Sequence, residues 1–234
     1  MIDLTNFYSG GYFLIRAHHP EWPQFNYELL PAAPISLSVR VCPRVRVHWG
    51  WIPGDREGAR VFGIPETKLD ECLEWCAREY DTDMDMWSMF YSPAAARRFI
   101  RRFDLPTENL YLIGAGLPIH LEAQDWRAFY DEKEDYGIEK RIHQQLPIEE
   151  GGQSIGFEVV SFEGGDLSNS WLCSGLEKDM HDLFGIRPNA FGLIDTLEDA
   201  IKVYTWIKED EMKGTRAEPE PYDVWLLLNY PLEC

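Results

Sequence analysis

The chain has 234 residues, 45% of them hydrophobic and 14% aromatic, with 40 Asp/Glu against 22 Lys/Arg for a formal charge of -18. That composition belongs to a folded globule rather than to an acidic disordered tail, and a chain of this length buries a sizeable core. A charge of this sign repels phosphate backbones and anionic lipid, so neither nucleic acid nor a membrane is an expected partner.

The surplus is uneven, since residues 1–60 hold six Lys/Arg and five Asp/Glu whereas residues 61–234 hold sixteen and thirty-five. No basic start precedes an apolar run, and no stretch approaches the roughly 18 apolar residues of a membrane span, so a cytoplasmic location is expected. Cys42, Cys72, Cys76, Cys173 and Cys234 are odd in number and lack paired metal spacing, which predicts free thiols in a reducing compartment. The histidines likewise show no metal spacing, so no metal and no other cofactor is expected.

In chain order, Tyr12 to Arg16 and Phe25 to Leu30 read as strands. From Ile35 to Trp49 the sequence alternates, with Ile35, Leu37, Val39, Val41, Val45, Val47 and Trp49 on one face. Ser36, Ser38, Arg40, Arg44, Arg46 and His48 form an outward stripe, and Pro43 marks an edge strand, a bulge or a break. Leu69, Cys72, Leu73, Cys76 and Tyr80 share one helical face, which places both cysteines in the core. Ser92 and Pro93 start a helix through Arg102. Leu110 to Ile113 is the next strand, entering a turn at Gly114 and Gly116. The weakest join along the chain falls at Leu146 to Gly152, and a further strand covers Gly156 to Phe162.

Ser174 and Glu177 form a capping box for a helix whose apolar positions are Leu176, Met180, Leu183 and Phe184, with Gly185 as its stop. Thr196 and Asp199 repeat the box ahead of Leu197, Ala200, Ile201, Tyr204 and Ile207. Tyr222 to Tyr230 is the last strand, and its segment Val224 to Leu228 is apolar without alternation, which places it near the middle of a sheet. Interspersed strands and helices without regular β-α-β spacing predict an α+β fold: a mixed, largely antiparallel sheet with amphipathic helices packed on it. One compact domain over 1–234 is expected, with subdomains 1–150 and 151–234 as the other division.

Several motifs offer chemistry and stop short of it. Asp81, Asp83 and Asp85 alternate like calcium-loop ligands, but Met86 stands at the turning glycine and Ser92 at the bidentate acid. Gly114 and Gly116 start a dinucleotide fingerprint that Pro118 and Ile119 break. Gly151, Gly152 and Gln153 match the release-factor tripeptide without any basic surface to hold RNA. Cys173, ahead of a helix N-terminus, is a candidate nucleophile, with His143 or His181 as base and Asp179 or Asp182 as orienter. His181 lies eight residues on, about two turns away, which leaves His143 or a more distant histidine.

A partner-binding site is read from two acidic groups. Asp166, Glu177, Asp179 and Asp182 surround Trp171, and Asp131, Glu132, Glu134 and Asp135 form a run. An exposed tryptophan ringed by carboxylates is a means of gripping a basic partner. The segments GFEVVSF, SWLCSGLEKDM, FGIRPNAFGLIDTLEDA and IKVYTWI, between Gly156 and Ile207, resemble the immunity proteins of bacterial polymorphic-toxin systems. That resemblance implies an acidic, cytoplasmic, non-catalytic α+β inhibitor whose basic protein partner is a cognate toxin. The expected function is therefore neutralisation of a basic partner, with a thiol-dependent hydrolase or transferase centred on Cys173 as the alternative.

Overall fold

The computed structural model describes residues 2–16, 29–31, 34–38, 47–48, 56–79, 82–84, 89–121, 137–163, 166–172, 176–213 and 221–233. The strands are β1 (Phe7–Arg16), β2 (Val47–His48), β3 (Leu110–Pro118), β4 (Gln153–Glu163), β5 (Asp166–Ser170) and β6 (Tyr222–Tyr230). The helices are α1 (Arg56–Phe62), α2 (Leu69–Glu79), α3 (Pro93–Arg102), α4 (Gly137–His143), α5 (Leu176–Phe184) and α6 (Leu197–Lys213). All the strands join one sheet in the order β2-β1-β3-β6-β4-β5, and each neighbouring pair is antiparallel. The class is α+β, and the strands are all paired more regularly than a mixed sheet requires. Among the described residues no helix is long and apolar enough to cross a membrane.

The unalternating β6 sits between β3 and β4 and is buried on both faces, because helices or loops cover each side of the sheet. On one face Tyr12, Leu14, Leu112, Phe157, Leu226 and Leu228 join a core with residues of α2, α3, α5 and α6. Trp75 of α2 meets Phe99 of α3 and Phe103 just after it with ring centroids 5.3 Å and 5.7 Å apart, tilted to the first and edge-on to the second as aromatic quadrupoles favour. On the other face Phe13, Ile15, Ile113, Trp225 and Leu227 pack with Ile138 and Ile142 of α4 and with Ile35 and Leu37.

Local signals set several boundaries. Ser92 Oγ accepts the Ala95 amide at 3.0 Å and Pro93 opens α3. Thr196 Oγ1 accepts the Asp199 amide at 3.1 Å and donates to the Asp199 carboxylate at 3.0 Å, which starts α6. Gly185, at φ +71°, ends α5. Ser174 and Cys173 lie outside the described residues. Cys72 and Cys76 are buried free thiols on α2; the hydrogen bond between the two thiols, and then burial, push the Cys72 thiol up.

Three expectations need correction. Gly114 and Gly116 are not a turn but lie inside β3, paired with β1 and β6. A Cβ on Gly114 would come within 2.7 Å of the Tyr230 ring and 3.1 Å of the Tyr12 ring, so the glycine clears space for two tyrosines that meet edge-on at 5.5 Å. Ser36 and Ser38 do not face outward with a basic stripe; both are buried, and residues 35–38 form no strand. The Glu158 carboxylate on β4 draws that segment in, accepting the Leu37 amide at 2.6 Å while its other oxygen accepts Ser170 Oγ at 2.6 Å. Arg40, Arg44, Arg46 and residues 25–28 of the strand expected at Phe25 to Leu30 lie outside the described residues. The join at Leu146 to Gly152 is tied down: Ser9 N donates to Leu146 O at 2.7 Å and Glu149 N to Tyr12 Oη at 2.9 Å.

Candidate interaction surface

Helix α5 carries its apolar stripe from the core out to the surface. Leu176 and Met180 are buried, whereas Leu183 and Phe184, one turn on, are 58% and 46% exposed. Those two stand out as the large exposed hydrophobics among the described residues. The stripe matches a core-facing helix, but its last turn passes beyond the cover of the sheet. Phe184 meets Ile201, Thr205 and Trp206 of α6 around a groove of about 360 Å³, whose rim also carries Lys202 and Glu209.

Ile201 continues the apolar surface into a second, larger cavity of about 750 Å³. Its floor is Phe7, Pro118 and Phe157, with Ile2, Leu121 and Leu197 beside them, and its polar rim is Asp3, Asn6, His120, Asp195 and Thr196. Both openings are lined by α6 and share Ile201. An apolar strip rimmed by polar groups is a typical form for a surface that receives something.

The carboxylates around this strip are arranged by local bonds. Lys178 Nζ donates to Asp182 at 2.7 Å and His181 lies 3.2 Å from the same carboxyl, which together hold Asp182 below the usual carboxylate range. Lys202 reaches Asp199 at 2.8 Å and Glu198 at 3.1 Å. Its ammonium, with the Thr196 hydroxyl next, holds the Asp199 carboxyl below its ordinary value. Since the folded value lies under the unfolded one, the stability this contact brings is present above about pH 4 and is lost as pH falls through the folded value. An NMR titration of the Asp199 carboxyl carbon should find that depressed midpoint, and Lys202→Met should raise it toward an ordinary aspartate.

Elsewhere the acids are matched by the protein's own cations. Around α1 to α3, Arg56 pairs with Asp70, Arg60 with Glu66, Lys68 with Asp104, Arg98 with Asp83 and Arg102 with Glu71. The acidic surplus after residue 60 is thus partly matched at the surface by these cations.

The sequence-predicted site residues separate. Trp171 is fully buried and Glu177 is 1% exposed, which corrects the expectation of an exposed anchor: a side chain enclosed by the core offers a docking partner no area. Asp179 is half-buried, and Asp182 is exposed beside Lys178. Asp166 opens β5. Asp131, Glu132, Glu134 and Asp135 lie outside the described residues. An exposed Trp171 ringed by carboxylates is therefore not what the fold presents, and Asp182 stands exposed on α5.

Phe184, Ile201 and Trp206, which line the groove, and the exposed Leu183 next to Phe184 were missed as site residues. Their helical spacing is visible in the sequence, but it is the same for a core stripe and for an exposed one. Of the chemical candidates, His143 is exposed on the last turn of α4 and His181 is bound up with Asp182. Asp83, the described member of the calcium-like triplet, has its carboxylate taken by Arg98. Among the described residues no group of His, Cys, Asp and Glu is placed to hold a metal ion. Comparison with known proteins finds no family model that matches, and no curated protein or solved structure that matches either.

Proposed function

We propose that this chain is an acidic cytoplasmic binding protein that neutralises a basic protein partner in the manner of a toxin-immunity inhibitor, and that it docks through the apolar strip along α5 and α6. The observation that carries this reading is the exposure of Leu183 and Phe184 beside a groove and cavity whose rims hold Glu209, Asp195 and Asp3. Exposed aromatic and aliphatic groups supply the desolvated centre of an interface, and carboxylates at its edge steer a cationic partner in and set its register. The net charge of -18 supports the same sign of partner, and the buried thiols fit a reducing compartment.

The test is association of the intact protein with the product of the neighbouring gene, measured at about 50 mM and about 300 mM salt, where screening of exposed charge differs strongly. The on-rate should fall at the higher salt. Leu183→Ser and Phe184→Ser should each weaken binding at least ten-fold, as expected for anchors at an interface centre, while the melting temperature falls only modestly because both side chains are partly exposed. A complex indifferent to both variants and to ionic strength would refute the reading.

A further inference from the structure

We infer that the cavity between the N-terminal segment, the end of β3 and the start of α6 is a binding site for a small apolar molecule bearing one cationic centre, such as an arylalkylammonium. This inference takes the cavity that the docking strip also includes, but it does not need a protein partner, so small-molecule binding and capture of a basic protein succeed or fail separately.

Volume comes first. About 750 Å³ is the size of a small-molecule site, well above what packing defects leave in a core. The floor of buried Phe7, Pro118 and Phe157 is apolar and includes two aromatic rings, so the favourable occupant has an apolar body. The rim decides the charge. Asp3 Oδ1 accepts the Thr5 amide at 3.1 Å and the Thr5 hydroxyl at 2.7 Å, bonds that favour its ionised form. Asp195 Oδ1 accepts Asn189 Nδ2 at 2.9 Å. Both carboxylates are thereby positioned by their own local bonds.

An opposing field comes from the N-terminus of α6, which lies at the same mouth through Thr196 and Leu197. A helix end carries about half a positive charge. Two full negative charges on the rim outweigh it, and Glu198 and Asp199 in the first turn of the helix reduce it further. The remaining rim groups are Asn6 and Thr196, neutral hydrogen-bonding partners suited to an ammonium head or its hydration water, and the imidazole of His120, which in its neutral form also offers an acceptor.

The experiment uses the intact protein and three probes of one shape: phenylpropylamine as the ammonium, phenylpropanol as its neutral counterpart and phenylpropionate as the anion. Saturation-transfer NMR and amide-shift titration should rank them in that order, with the ammonium about ten-fold tighter than the carboxylate, the modest ratio that solvent-exposed charges give. Ile201→Trp fills the cavity from α6 and should abolish binding of all three probes. Ile2→Trp fills it from a segment outside the regular elements, and serves if the first variant is unstable. Asp195→Asn and Asp3→Asn should each cost the ammonium about three-fold and leave the alcohol unchanged. Equal binding of the three probes, no binding at about 10 mM probe, or binding that survives both tryptophan variants would each overturn the assignment.

Discussion

Trp171→Ala is expected to destabilise the protein by about 3–5 kcal/mol, because the indole is fully enclosed and its loss leaves a large cavity in the core. For a chain of this size that lowers the melting temperature by roughly 6–20 °C. Its indole Nε1 finds no acceptor among the described residues, so Trp171→Phe, which removes that unmet donor along with some volume, should cost far less. Thermal and urea unfolding of the two variants check the ranking. The contrast with a surface anchor is sharp: a tryptophan at an interface would lose affinity on truncation and leave the melting temperature alone. Should that pattern appear for Trp171, the buried placement would be wrong.

The second large effect lies at a β-bulge in β1. Gly11→Ala is expected to cost about 3 kcal/mol or more, from two sources that add. At φ +109° a side chain is strained by about 1–3 kcal/mol. A Cβ there would also collide with Sδ and Cγ of Met89, and Met89 is fully buried. Overpacking of that kind costs about 1–3 kcal/mol. The double variant Gly11→Ala/Met89→Ala separates the sources, since it relieves the collision and keeps the strained backbone. Its urea midpoint should show less than the sum of the two single losses. Strict additivity would mean that Met89 is not what the new methyl group meets.

Some of this architecture was legible in residues a few positions apart. The start of α3 at Ser92 and Pro93, the start of α6 at Thr196 and Asp199, and the stop of α5 at Gly185 all rest on bonds or dihedrals within one turn of chain. The central place of β6 was legible too, because an unalternating apolar run has no face to give to water. What could not be read depends on partners far along the sequence. Gly114 looks like a turn until Tyr12 and Tyr230 are brought across it, from positions 102 and 116 residues away in the numbering. Ser36 and Ser38 look solvent-facing until Glu158 pulls their segment against β4.

The candidate site shows the same division. Amphipathic spacing placed Leu176, Met180, Leu183 and Phe184 on one stripe, yet only packing decides that the first pair is enclosed and the second is not. The charge count after residue 60 left thirty-five acidic groups against sixteen basic ones. The structure spends several of those carboxylates on Arg56, Arg60, Lys68, Arg98 and Arg102, a pairing invisible to a count of residue types.

The position of the last strand bears on how a newly made chain reaches this state. β3 and β4 do not touch until residues 222–230 enter between them, so while the ribosome still holds that segment the pair of β1 and β3 and the hairpin of β4 and β5 are separate pieces with uncovered edges. Closure of the sheet is therefore a late event that joins segments distant along the chain, which slows folding and leaves apolar strand edges open to other nascent chains in the interval.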